Sequence, residues 1–510
     1  MGDIYSVVRH HAVTTPDKIA ILNENGDAIS YRQLMQAVEQ RYWQLSQVVT
    51  PGKSRVALSL HEGEQVPITV LALNQLGVGV IPLNPTLQTS QLQQLLKAVD
   101  ADVVVAEADT VPLFRTLDGL QMVVVGAVEG EESSAEVDAN AANREYQPNA
   151  PFLITLSSGS TGDPKPIIFS EQNKLRRSKQ AQEMYQVSAE DRVLCASPFF
   201  HSLGQRLTLL PLLVGATLVQ LPRFTAKRWA DLVERQQVSF TIPVSSHLHE
   251  LVGLLIEQPE RFASLRCLVS SSAAISDDVK QRLFNALRCD FHEMYGASEV
   301  ATATDLNRDQ ATRHPHSVGF PCPGVRLQIV DDGGVVQPPC EIGEIVVNSP
   351  LASPGYYRLP AVTEASFVEA FFHTGDLGYL DEEGYLYFVN RKKEIIVTGG
   401  MNIYPSDIES VLSGHPQITT VVVVGISDSY LGEVAVAVVV GRGNAKQLER
   451  ELRGRVREQL SPYQHPLRYF FREQLPMTAS GKVDKMALQD ELNGLGLELS
   501  AKLRALQGGQ

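Results

Sequence analysis

Short runs of β-branched and aliphatic residues alternate with helically periodic segments along much of the chain. The runs RVALSLH (55–61), VGVIPLN (78–84) and DVVVAEA (102–108) are strand-sized, and TSQLQQLLKAVD (89–100) has the 3.6-residue spacing of a helix. Strand–helix alternation predicts parallel α/β layers. The pattern changes between Val318 and Val347. There VRLQIVDD and GEIVVNS follow each other closely with Gly and Pro turns and no helix, which predicts a small β-barrel-like subdomain. It changes again near Asn390. Beyond the charged segment Asn390–Glu394 the chain reads as compact α+β: helix SDIESVLSGH, strands TTVVVVGI and VAVAVVVG, helix AKQLERELRGRVREQL. The expected organisation is a large α/β domain over 1–390 and a small, mobile α+β domain over 391–510. Residues 128–147 (VEGEESSAEVDANAANREYQ) are polar and acidic and predict an exposed connection.

Composition narrows the function classes. With 510 residues, 44% hydrophobic and 20% charged, the chain can bury a sizeable core without disulfides or a structural metal. A formal net charge of -14 disfavours nucleic-acid binding, which needs clustered Lys and Arg. The five cysteines have no C-x-x-C pair, so neither a disulfide framework nor a zinc site is expected. The N-terminal residues lack the apolar core of a signal peptide, and no apolar run approaches the 18 residues of a membrane span. These features predict a cytoplasmic protein without stable membrane insertion, a monomer or homodimer.

The segment 156–166, LSSGSTGDPKP, places two glycines, four hydroxyl residues and Lys165 between the strands FLIT and IIFS. Glycine lets the backbone approach a ligand, hydroxyls and free N–H groups wrap phosphate oxygens, and the lysine adds a point charge. A Walker A loop is excluded, because Pro164 and Pro166 stand where Gly and Ser/Thr must flank the lysine. A dinucleotide fold is also excluded, since GVGVIP at Gly77 lacks the third glycine.

SSGSTGDPK resembles the phosphate loop of the adenylate-forming (ANL) superfamily, which includes acyl- and aryl-CoA synthetases, acyl-carrier-protein ligases and firefly-type luciferases. Further segments resemble the family's motifs in their usual order. They are Tyr295–Glu299 (YGASE), Phe372–Asp376 (FHTGD), the hinge Asn390–Glu394, the loop Gly399–Ile403 with Pro405 and Glu409, and Pro476–Lys482 (PMTASGK). The resemblance spans essentially the whole chain. Pro166, in place of the usual Gly, and Ser298, in place of the usual Thr, are departures.

The resemblance implies ATP- and Mg²⁺-dependent conversion of a carboxylic acid to an acyl-adenylate, then transfer to a thiol. Ser157, Ser158, Gly159, Ser160, Thr161, Gly162 and Lys165 are expected to cradle phosphates. Ser272, Ala273, Tyr295, Gly296 and Ser298 are expected to bind the nucleotide, with Asp376 and Arg391 on the ribose. Glu299 is the expected Mg²⁺ ligand, since a carboxylate suits a hard cation. Lys482 is the expected catalytic cation, assisted by Thr161, Glu299 and His201, because a carboxylate must attack an anionic α-phosphate. Lys392 and Lys393 are the expected hinge, and Gly399 and Gly400 line the expected thiol tunnel, so that one lobe serves two half-reactions in turn.

The expected acyl pocket comprises Phe200, His201, Ser246, Ser271 and Gly296. An imidazole and phenyl rings suit an apolar acyl or aryl group rather than an α-ammonium, which disfavours a free amino acid. The expected acceptor is CoA or a phosphopantetheinyl group on a separate carrier protein. Tyr463-Gln464-His465-Pro466 lacks the lysine common in CoA-using members. The alternatives are a luciferase-like enzyme or a non-catalytic binding protein of the same fold.

Overall fold

The computed structural model describes residues 3–85, 87, 89–115, 117, 119–126, 147–156, 165–271, 275–398, 401–428, 431–478 and 483–494. Packing divides the chain into two compact units, Met1–Arg326 with Val347–Phe372, and Leu327–Val346 with His373–Gln510. Residues 327–346 and 373–390 group with the C-terminal unit. The polar stretch 128–146 lies outside the described residues.

The first unit holds two sheets. The fifteen strands that build them are β1 (Ile19–Leu22), β2 (Ala28–Ser30), β3 (Arg55–Ser59), β4 (Gly79–Pro82), β5 (Val103–Glu107), β6 (Gln121–Val125), β7 (Pro151–Leu156), β8 (Pro166–Ser170), β9 (Arg192–Cys195), β10 (Thr217–Gln220), β11 (Phe240–Thr241), β12 (Cys267–Ser270), β13 (Asp290–Ala297), β14 (Ala301–Asn307) and β15 (Phe320–Pro321). One sheet runs β6-β5-β3-β4-β7-β8, and the other β15-β14-β13-β12-β11-β9-β10-β1-β2. Inner pairs such as β3–β4, β3–β5 and β11–β12 are parallel, while β7–β8 and β13–β14 are antiparallel. Strands covered on both faces read as continuous apolar runs, as VVVA in β5 does. Helix Gln65–Leu76 is largely apolar and buried on nearly every side, its buried polar residues being Gln65, Thr69 and Asn74.

Five strands follow: β16 (Arg326–Val330), β17 (Gly343–Asn348), β18 (Phe367–Val368), β19 (Phe371–Leu380) and β20 (Leu386–Arg391). They pair in the order β16-β17-β19-β18, with β20 also on β19; of these, β16 and most of β17 fall in the stretch where the β-barrel-like subdomain was expected, and β18, β19 and β20 lie beyond it. The unit boundaries fall inside β16, β17 and β19.

The C-terminal unit adds β21 (Ile396–Thr398), β22 (Met401–Ile403), β23 (Ile418–Asp428), β24 (Gly432–Gly441) and β25 (Arg468–Arg472). The run of valines in β23 is buried on both faces, and its two-residue period sorts it into two cores. Val421 and Val423 pack with Leu448, Leu452 and Val456 of helix Ala445–Gln459. Val422, Val424 and Ile426 pack with Leu475, Leu488 and Leu492. No helix among the described residues is long and apolar enough to cross a membrane.

Candidate active site

The strands β7 and β8 form an antiparallel hairpin that pairs Leu156 with Pro166. Its connection contains the expected phosphate loop. Ser157, Ser158, Gly159, Ser160, Thr161 and Gly162 lie outside the described residues, as do Ser272, Ala273, Gly399, Gly400 and Lys482.

Lys165 leaves the loop with its Nζ 5.0 Å from the centre of the Tyr356 ring. Tyr356 is placed by a bridge to Ile167 on β8 and by the Tyr357 N–H donating to the Pro166 carbonyl at 2.8 Å. Its hydroxyl donates to Glu299 Oε1 at 2.9 Å. Burial, and then the Glu299 carboxylate, raise the Tyr356 phenol well above its ordinary range, so it stays a donor. The expected phosphate-binding lysine and the expected metal carboxylate thus share one tyrosine, the first over its ring and the second at its hydroxyl.

The Ser298–Glu299 turn is held from beneath. Arg177, on helix Glu171–Tyr185, donates to the Ser298 carbonyl (2.9 Å), the Glu299 carbonyl (3.1 Å) and the Leu351 carbonyl (2.9 Å), and lies over the Phe169 ring. Burial, with Arg206 adding to it, lowers its guanidinium to about 9, so it remains a cation at neutral pH. Lys174, one turn earlier on the same helix, donates to Gln205 Oε1 at 2.6 Å, and Gln205 Nε2 donates to Thr155 Oγ1 at 2.9 Å. Burial, then Arg177 and Arg206, hold the Lys174 ammonium well below the usual lysine range. This network ties the foot of β7, two residues before the loop, to helix Ser202–Val214.

That helix begins beside the expected acyl gate. The rings of Phe200 and His201 lie 4.3 Å apart, and His201 is the residue before the helix. Phe199 is buried and donates its N–H to Glu62 Oε1 at 2.7 Å. Gly204 is required, since a Cβ there would meet the Pro198 carbonyl oxygen at 2.0 Å. Burial raises the Glu62 carboxyl to about 7.

The other expected pocket walls are neighbours. Val244 bridges Ser271, the Ser245 N–H donates to the Ser271 carbonyl at 2.9 Å, and Ser246 follows on the helix. His247, next on that helix, stacks on Phe224 at 3.6 Å; burial lowers it to about 4, so it is neutral at pH 7. Tyr295 and Gly296 lie on β13, where Gly296 pairs with Thr302 of β14. A Cβ on Gly296 would meet the Ala301 carbonyl oxygen at 2.0 Å, so only glycine fits.

In the C-terminal unit, Asp376 of β19 stands in register opposite Arg391 of β20, with Arg391 Nε 3.5 Å from Asp376 Oδ1. Thr374 Oγ1 donates to the Ile345 carbonyl at 2.7 Å and accepts from the Asp376 N–H at 3.0 Å. Gly375 takes φ +71°, the left-handed region that glycine tolerates. Lys392 and Lys393 begin a short 3₁₀ turn ending at Glu394. Lys392 pairs with Asp332 at 2.7 Å, whereas Lys393 is exposed.

Glu62, Lys174, Arg177, Arg206 and Tyr356 were not singled out from sequence. Helix Glu171–Tyr185, EQNKLRRSKQAQEMY, reads as a solvated charged face, yet Lys174, Arg177, Ser178, Ala181 and Tyr185 are buried at helical spacing. That period was the available signal.

The AMP-binding enzyme family model matches residues 8–357, and the AMP-binding enzyme C-terminal domain matches 407–482. The chain belongs to the AMP-binding enzyme family. It is 32% identical to an indoleacetate–CoA ligase of Aromatoleum aromaticum over 499 residues, covering 94% of this chain and 96% of that one. It is 27% identical to the fatty acid–[acyl-carrier-protein] ligase ScoC of Streptomyces coeruleorubidus, covering 95% of each. The structure of o-succinylbenzoate CoA synthetase of Bacillus subtilis with its acyl-adenylate intermediate superposes with a TM-score of 0.84 at 26% identity, covering 96% of this chain and 98% of that one. That solved structure shares the expected mixed α/β fold, and all three relatives bear names of acid–thiol ligases.

Proposed function

We propose that the protein activates a carboxylic acid with ATP to an acyl-adenylate, releasing pyrophosphate, and passes the acyl group to a thiol of CoA or of a phosphopantetheinyl carrier. The observation that carries this reading is the junction of Lys165, Tyr356 and Glu299 at the exit of the glycine- and hydroxyl-rich hairpin connection. It supports a triphosphate site in which a cation donor and a hard-metal ligand both lie against one tyrosine.

In this reading residues 157–162 and Lys165 bind phosphate oxygens, and Ser272, Ala273, Tyr295, Gly296 and Ser298 bind adenine and the neighbouring backbone. Asp376 accepts from the ribose hydroxyls, with Arg391 beside it. Glu299 is the carboxylate that would hold Mg²⁺; a bound Mg²⁺ neutralises phosphate charge. Lys482, with Thr161 and His201, orients the acid carboxylate and stabilises the pentavalent transition state. Lys392–Lys393 is the turning point between domains 1–390 and 391–510, and Gly399–Gly400 serves the thiol step. Phe200, His201, Ser246, Ser271 and Gly296 form the wall for an aryl or medium-chain acyl group. The relatives' names favour ligation over the luciferase-like and binding-only alternatives.

Acid-dependent ATP–pyrophosphate exchange over aryl, medium-chain and long-chain acids tests this. Exchange should depend on one acid class and collapse in Lys482→Ala. Undiminished exchange in that variant removes the lysine's role, and absence of exchange with every acid removes the reaction. Thioester formation with CoA, or with a holo-carrier but not its apo form, then identifies the acceptor.

A further inference from the structure

Arg206 lies on helix Ser202–Val214, one turn beyond His201. Its Nη1 donates to Thr302 Oγ1 at 3.0 Å and lies 3.5 Å from Met294 Sδ. Thr302 is the register partner of Gly296, and Met294 precedes Tyr295, so this guanidinium borders two residues assigned above to the nucleotide and acyl sites. Its Nε and Nη2 are buried and have no hydrogen-bond partner among the described residues. A guanidinium carries five donors and stays charged, and buried donors without acceptors are costly.

The surrounding charge sharpens the point. Lys174 and Arg177 are buried close enough to feel Arg206, and both spend their donors elsewhere, on Gln205 and on three backbone carbonyls. The nearby carboxylates are also engaged. Glu299 accepts from Tyr356, and Asp305 accepts from the Tyr185 hydroxyl at 3.2 Å and lies 2.7 Å from His292 Nδ1. Of these three basic residues Arg206 is thus the one whose buried donors, Nε and Nη2, lack a partner among the described residues, while its Nη1 reaches Thr302 of β14.

We propose that Arg206 is a specificity residue that binds a second anionic group, a carboxylate on the far end of the acid substrate, so that the preferred substrate is a dicarboxylic acid. The planar fork suits bidentate recognition of a carboxylate. The proposal rests on the acid-activating reading above. It adds what the pocket selects: an aryl or aliphatic spacer with one carboxyl presented for adenylation and the other held by Arg206. A substrate lacking the second carboxylate leaves the guanidinium unpaired, and sites built to pair a polar group reject the analogue that lacks it.

The test is the wild-type chain in ATP–pyrophosphate exchange with aliphatic and aryl dicarboxylic acids of graded length, each against its monomethyl ester and its monocarboxylic analogue. At the best length, kcat/KM for the diacid should exceed that for the ester on the order of 10- to 100-fold, the range of a charge-assisted pair. Arg206→Gln should abolish that preference chiefly through a raised KM for the diacid, and Arg206→Lys should restore part of it. A wild type that prefers monocarboxylic acids at every length overturns the proposal and leaves the ligase reading standing. So does an Arg206→Gln variant that keeps the diacid preference. Failure of exchange with every acid, mono or di, overturns both.

Discussion

Replacing Glu62 with Gln isolates the cost of holding a carboxylate under the acyl-gate segment. Glu62 Oε1 accepts the Phe199 N–H at 2.7 Å, and an amide oxygen can accept the same bond. The substitution therefore keeps the clamp and removes only the charge. Burial raises the carboxyl from 4.5 to about 7, against a smaller opposing effect of the Phe199 N–H. A folded-state value above the unfolded one means that the folded chain binds more protons between those two values. Stability is then full below about 4.5 and falls as pH rises toward 7. At roughly 1.4 kcal/mol per pH unit the full loss is about 3 kcal/mol, an upper limit because the residue is not wholly covered. Glu62→Gln should therefore be more stable than the wild type by under about 1 kcal/mol at pH 5 and by about 3 kcal/mol at pH 8. Urea unfolding followed by tryptophan fluorescence reads the relevant unit, because both tryptophans, Trp43 and the buried Trp229, lie in it with Glu62. A difference between the two proteins that is the same at pH 5 and pH 8 would refute the reasoning.

Three further perturbations have defined outcomes. Arg177→Met leaves the Ser298, Glu299 and Leu351 carbonyls without their buried donor; it should cost about 3–5 kcal/mol in the same unfolding assay and depress pyrophosphate exchange more than Phe169→Leu does. Lys485 Nζ joins Glu394 (2.8 Å) to Glu409 (3.3 Å), so Lys485→Met should destabilise the C-terminal unit by about 1–3 kcal/mol, read as lower hydrogen-exchange protection in helix Pro405–Ser413 with helix Glu171–Tyr185 unchanged. Cys195, Cys267, Cys289 and Cys322 are buried with thiols raised by burial, Cys195 and Cys322 to about 12 and Cys289 to about 11, whereas Cys340 is exposed. A thiol reagent at pH 8 should accordingly titrate one cysteine in the native chain and five after denaturation, and Cys340→Ser should abolish the native reaction.

The layers and the two-residue period of β23 were legible because burial against a sheet imposes a local rhythm on the chain. The family membership was legible for another reason: it rests on particular residue types at short spacing, in a fixed order along the chain. What supports those motifs follows neither rule. Arg177 serves carbonyls 121 and 122 residues away, Tyr356 reaches a carboxylate 57 residues earlier, and Glu62 meets an amide 137 residues later. No local pattern encodes such pairings. Charge also misleads as a marker of exposure, since Lys174 and Arg177 occupy the buried stripe of their helix. A buried cation is tolerable only where acceptors converge on it, and convergence is a property of the folded topology. For Lys174 and Arg177 the acceptors are protein groups, whereas Arg206, with buried donors left over, is where the same requirement points outward to the substrate.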